Sequence, residues 1–214
     1  MAWRATRAAG VLTSCALALS TIFAANVASA QALAKPNATA HVNATAHVYV
    51  LTGFLGFQTR LHGAVKKVER HKVPVTVGHA LEWSSMATSA IDAYKSGKVR
   101  SVVIVGYSLG GGSALKMAAQ LDTAHVPVAL IVTVEPVDVS DVPPNVRRAV
   151  NYYLPGGWGS ALHADRHFHG SLRNVADKNP NLDHFSLAIA HENDVVNQVL
   201  SAIAPAPAVA QPKS

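Results

Sequence analysis

Cysteine is almost missing from this chain of 214 residues: there is one, Cys15. No internal disulfide can form, so stability must come from a packed core. Charge is also sparse, at 14% of residues, with 12 Asp and Glu against 18 Lys and Arg and a formal net charge of +6. The basic residues form no dense cluster with interleaved aromatics, which excludes a nucleic-acid-binding face. Neither G-x-x-x-x-G-K-[ST] nor G-x-G-x-x-G occurs, which excludes the common nucleotide-phosphate loops. Apolar residues are abundant, at 50%. That composition and length suit one globular domain with a sizeable core.

The first 30 residues read as a signal peptide. Arg4 and Arg7 precede the apolar run VLTSCALALSTIFAA, and VASA ends in a small-x-small cleavage pattern before Gln31. A transmembrane anchor is the alternative, but Thr13, Ser14, Ser20 and Thr21 interrupt the run. LTSC at 12–15 resembles a lipoprotein box, yet the apolar run continues past Cys15. The expectation is an exported chain, periplasmic or secreted, without a stable membrane anchor after cleavage. Residues 31–45 form a leader, and NATAHV is written twice over 37–48, running from it into the first strand; Asn37 and Asn43 sit in N-x-T sequons. The Pro/Ala-rich segment 205–214 reads as a disordered tail.

Between these ends, 46–204 alternates between strand and helix patterns. Strands are expected over 46–52, 73–78, 99–106, 126–134 and 149–154. Helices are expected over 57–71, 84–97, 109–122 and 184–204. The runs at 99–106 and 126–134 are continuously apolar, as in strands buried on both faces. The alternation predicts an α/β domain: a mostly parallel sheet of about five to six strands, covered by helices on both faces, with no separate cap domain.

The chemistry centres on Gly106-Tyr107-Ser108-Leu109-Gly110. This is G-x-S-x-G placed between a buried strand and a helix. Such a turn lifts the serine hydroxyl clear of the sheet, and glycine two residues to either side avoids collisions with the neighbouring strand and helix. The helix start also brings backbone amides to where negative charge develops in acyl transfer. One oxyanion amide is expected from Leu109, just after the nucleophile.

With YVLTGFLG, GYSLGG, VTVEPVD and LDHFSLA, the chain resembles the α/β-hydrolase superfamily, within it the small secreted serine esterases and lipases. The resemblance spans most of 46–204 and implies the chain order nucleophile, acid, histidine. Ser108 is then the nucleophile and His184 the base. Glu135, followed by Pro136, is the favoured acid; it stands where lipase-like members usually carry Asp-Pro, and Asp138 is the alternative. His191 is the fallback histidine, while Asp183 reads as a helix-start residue. The second oxyanion amide is implied at Phe54, or Leu55, with Gly53 permitting close approach.

The stretch 156–170 is expected to be a mobile loop at the pocket mouth, with Trp158 and Phe168 contacting substrate or packing. His163, His167 and His169 fall short of a metal motif, because only His163 and His167 are spaced i, i+4. No cofactor is implied. The expected activity is hydrolysis of a small-molecule or lipid carboxylic ester through an acyl-serine. An acyltransferase or thioesterase with the same residues is the alternative within enzymes. A hydrolase-fold binding protein without activity is the alternative outside them.

Overall fold

The computed structural model describes residues 45–53 and 60–204. They fall within one compact unit, Thr39–Ser214. The signal peptide, most of the leader, residues 54–59 and the tail lie outside the described residues.

Six strands form one sheet: β1 (Thr45–Thr52), β2 (Val75–His79), β3 (Val99–Tyr107), β4 (Val128–Val134), β5 (Arg148–Tyr153) and β6 (Ser171–Ala176). Their spatial order is β2-β1-β3-β4-β5-β6, and every pairing is parallel. Five α-helices accompany them among the described residues: α1 (His62–Arg70), α2 (Trp83–Lys95), α3 (Leu109–Thr123), α4 (Leu187–Ala190) and α5 (Glu192–Ile203).

The alternation of side chains along each strand explains the layers. Tyr49, Leu51, Val102 and Ile104 face a core shared with Ala87 and Ala90 of α2 and Leu115, Ala118 and Leu121 of α3. Val48, Val50, Val103, Val105, Leu130 and Val132 face the opposite core, with Ala64 and Val68 of α1 and Val195 and Val199 of α5. Both faces of β3 and β4 are covered, so both strands read as unbroken apolar runs. The chain leaves β1 toward β2 on one side and reaches β3 on the other. The sheet order therefore reverses between β1 and β3, the position at which open α/β sheets bind ligands.

Three features differ from the sequence expectation. The strand β6 lies at the sheet edge, with only Leu172 and Val175 of SLRNVA partly buried among apolar neighbours. Its polar residues hide it from a hydrophobicity pattern. The closing helix is broken: α4 ends at Ala190 and α5 starts at Glu192, with His191 between them at φ −96° and ψ 14°. The His191 ring is held by Asp177 at 2.9 Å and Asp194 at 2.8 Å, which ties the break to the end of β6. The stretch 156–170 is anchored at several points. Leu162 is buried, and Phe168 packs on the core rather than at the pocket mouth.

A polar ladder crosses the sheet beneath that stretch. Thr133, Asn151 and Asn174 stand side by side in the registers of β4, β5 and β6. Thr133 Oγ1 donates to Asn151 Oδ1 at 2.8 Å, and Asn151 Nδ2 donates to Asn174 Oδ1 at 2.9 Å. Asn151 also donates to the Ser160 carbonyl, and Asn174 exchanges two hydrogen bonds with the Leu162 backbone. Every partner is an amide, hydroxyl or carbonyl, so the buried polar groups are matched without charge.

Candidate active site

The turn from β3 to α3 is held in an unusual conformation. Ser108 has φ 54° and ψ −125°, a positive φ that costs a residue with a Cβ of order 1–3 kcal/mol. The surroundings enforce it. Ser108 N–H donates to the Val134 carbonyl at 3.0 Å, and the Ser108 carbonyl accepts from Gly111 and Val137. A Cβ at Gly106 would meet the Gly110 carbonyl, and one at Gly110 would meet the Leu51 carbonyl. The glycine spacing thus lets β1, β3 and α3 converge behind the serine.

Ser108, His184 and Glu135 come from the carboxyl ends of β3, β6 and β4 and form one hydrogen-bonded line. His184 Nε2 lies 3.0 Å from Ser108 Oγ. His184 Nδ1 lies 3.1 Å from Glu135 Oε2. An ionised carboxylate can only accept, so Nδ1 carries the proton. Nε2 then presents its lone pair to the serine hydroxyl.

Glu135 is fully buried and also has positive φ, at 48°. Burial pushes its carboxyl up. Hydrogen bonds from His184 and from the Leu154 and Gly159 amides, with the imidazole's charge, outweigh that and leave it below the usual glutamate value. Leu154 N–H donates to Oε1 at 2.6 Å and Gly159 N–H to Oε2 at 3.1 Å. A Cβ at Gly159 would sit 2.6 Å from the Glu135 Cα, so glycine is what allows this loop to close on the acid. These two amides supply what the longer glutamate side chain needs: a fixed, retracted carboxylate.

His184 is 7% exposed. Its backbone carbonyl accepts from Tyr107 Oη at 3.1 Å, and the Tyr107 ring lies 5.3 Å away. Burial, partly offset by the Arg60 charge and helped by the Glu135 and Asp183 charges, pushes the Tyr107 phenol up to about 12, so it stays a donor. Trp158 covers the imidazole at 4.7 Å and Phe185 meets it edge-on at 5.3 Å. A cleft of about 600 Å³ opens beside these residues.

Among the sequence candidates, Glu135 is the acid that reaches His184. Asp138 does not; its carboxylate pairs with Lys116 Nζ at 2.5 Å. His191 is occupied by Asp177 and Asp194. Asp183 caps the turn before α4, accepting from the Phe185 and Ser186 amides. Leu109 is the first residue of α3, where helix geometry leaves the N–H without an intrahelical partner. Phe54 and Leu55 lie outside the described residues. Gly53 is described, and a Cβ there would lie 3.4 Å from Ser108 Cβ. Among the described residues, no group of three or more potential ligands could hold a metal ion, His163, His167 and His169 included.

Sequence reasoning missed Tyr107 and the amides of Leu154 and Gly159 as parts of this site, whereas Trp158, expected at the pocket mouth, does stand beside His184. Tyr107 stood inside the serine motif. The run PGGWG at 155–159 was a visible signal, since glycines around a tryptophan mark a tight backbone approach.

No protein-family model matches the chain, and no curated protein matches it in sequence. Solved structures do match in shape. The type II thioesterase BorB from the borrelidin biosynthetic cluster is similar at TM-score 0.51 and 10% identity, over 75% of this chain and 93% of that one. The NocB thioesterase domain from the nocardicin cluster, in covalent complex with a fluorophosphonate nocardicin G analogue, matches at TM-score 0.46 and 16% identity, over 76% and 97%. With six parallel strands, helices on both faces and the serine turn at the strand-order reversal, this chain has the α/β-hydrolase fold.

Proposed function

We propose that the protein is a serine hydrolase that cleaves carboxylic esters through an acyl-Ser108 intermediate. The observation that carries this is the continuous line Ser108 Oγ, His184 Nε2, His184 Nδ1, Glu135 Oε2, with links of 3.0 and 3.1 Å. Ser108 Oγ attacks the substrate carbonyl carbon while its proton passes to His184 Nε2. Glu135 holds the tautomer and balances the imidazolium. The oxyanion lies against the Leu109 amide, with a second donor expected from the segment after β1. The bond from the acyl carbon to the leaving oxygen breaks, and His184 returns the proton to that oxygen. Water then attacks the acyl-enzyme, gives one proton to His184, and releases the acid as Ser108 regains its hydrogen.

A thioester is the second reading, favoured by the thioesterase of matching shape. A thiolate leaves with less help from a proton than an alkoxide does. Matched oxygen esters and thioesters of one acid therefore separate the two readings. Export after cleavage at Ala30 remains part of the proposal; the N-terminal residue of the secreted protein tests it, with Gln31 expected. No helix among the described residues is long and apolar enough to cross a membrane.

The deciding assay is hydrolysis of p-nitrophenyl butyrate beside Ser108→Ala, with labelling by a fluorophosphonate. Turnover and labelling that both vanish in Ser108→Ala are expected. A folded wild-type protein that neither turns over esters or thioesters nor labels would overturn the proposal.

A further inference from the structure

The cleft beside the triad includes one member of the triad and not the other two. One wall is the segment Leu154–Trp158 after β5; the other is Asp177–Phe185 after β6. His184 is part of that wall, while Ser108, Leu109 and Gly53 are not. During acyl transfer the carbonyl carbon must sit on Ser108 Oγ and its oxygen on the amides at the start of α3. The leaving atom is different: it must lie where His184 can deliver a proton. The group attached to the leaving atom runs from Ser108 past the His184 ring, and this cleft borders that ring.

We propose that this cleft is the leaving-group subsite, with Trp158 as the residue that sets its preference. The proposal rests on the serine-hydrolase reading of the same centre. At about 600 Å³ the cleft falls within the size range of small-molecule sites, far beyond what methanol or ethanol would fill. Trp158, Phe185 and Leu182 make the part nearest His184 apolar and aromatic, and Lys178 and Asn179 add polar groups. The fitting leaving group is an amphipathic alcohol or thiol, apolar next to the reacting atom and polar farther out.

Trp158 is built for such contact. Its indole is 67% exposed yet fixed, with its ring 4.7 Å from His184 and 5.7 Å from Phe185. The next residue, Gly159, donates its N–H to Glu135, so the backbone carrying the indole is anchored to the acid. A large, rigid aromatic surface facing solvent beside a reacting group offers contact area at little entropic cost.

Two substrate series test this. In the first, butyrate esters carry ethyl, benzyl or 3-phenylpropyl alcohols. In the second, ethyl esters carry acids from butyrate to octanoate. Trp158→Ala is expected to raise KM about fivefold for the 3-phenylpropyl ester relative to the ethyl ester, on the scale of one lost aromatic contact, and to shift the ethyl esters of the acyl series by one common factor with no dependence on acyl length. Trp158→Phe should restore most of the loss. A penalty that follows acyl length, or no penalty in either series, would overturn the proposal.

A binding titration reads the cleft without turnover. In Ser108→Ala with Trp3→Phe and Trp83→Phe, Trp158 is the remaining indole, and 3-phenylpropanol should change its fluorescence saturably. No saturable change would count against the subsite. Undiminished hydrolysis by Ser108→Ala would instead count against the serine-hydrolase reading.

Discussion

Replacing Glu135 by Gln changes one carboxylate oxygen into an amide nitrogen, and the surroundings make that change severe. The carboxylate accepts from three N–H groups: Leu154 at 2.6 Å, Gly159 at 3.1 Å and His184 Nδ1 at 3.1 Å. A glutamine in the same place has one acceptor oxygen. If the oxygen stays on Leu154, the NH₂ faces the Gly159 N–H and His184 Nδ1. His184 must then accept at Nδ1 and carry its proton on Nε2, pointing at Ser108. That tautomer cannot take the serine proton. By the usual size of this effect, kcat for p-nitrophenyl butyrate falls about 10³- to 10⁴-fold. The buried donor left without an acceptor costs about 1–3 kcal/mol, which lowers the melting temperature by about 3–10 °C in a domain of this size. Asp138→Asn serves as the control, because its carboxylate pairs with Lys116; activity within about twofold of wild type is expected, as for an exposed ion pair. Glu135→Gln within tenfold of wild type, or Asp138→Asn falling as far as Glu135→Gln, would refute the reasoning.

Three further outcomes follow from the geometry. Ser108→Gly removes a Cβ from a residue at φ 54° and should melt about 2–4 °C above Ser108→Ala by calorimetry, for about 1 kcal/mol of relieved strain. The folded-state value of Glu135 lies below its ordinary 4.5; its stabilising effect is therefore complete above that pH and lost as pH falls through the folded value. Urea midpoints should decline in acid less steeply for Glu135→Gln than for wild type. Asn151→Leu strands the buried Thr133 hydroxyl and removes the donor to the Ser160 carbonyl, while Asn174 keeps its bonds to Leu162, and should lower stability by about 1–3 kcal/mol in urea unfolding.

The legible parts of this fold were those whose two sides are both apolar. VVIVG and VALIVTV announced β3 and β4 because α1 and α5 cover one face and α2 and α3 the other. Ser108 was legible because its turn demands glycine at fixed offsets. The edge strand β6 was not, since Arg173 and Asn174 face solvent or the ladder rather than a core. The break at His191 left no pattern either, because one of the two carboxylates that hold the ring, Asp177, comes from the end of β6. The choice between Glu135 and Asp138 depended on Leu154 and Gly159, 19 and 24 residues farther along. No local pattern reports such contacts.

The ladder of Thr133, Asn151 and Asn174 acts as a length standard for the chain that follows it. A strand advances about 3.3 Å per residue, and a shift of one residue in β6 would turn Asn174 to the other face of the sheet. It would also displace Asp177, the residue that ties β6 to His191, and with it the segment leading to His184. Catalytic geometry tolerates about 1 Å, so a single residue inserted between Asn174 and Asp177 exceeds the margin. Insertions at the exposed positions Arg166 and His167, upstream of the standard, leave the distance from Asn174 to His184 untouched. Natural length variation in this chain should therefore collect before β6 and avoid the segment between Asn174 and the histidine.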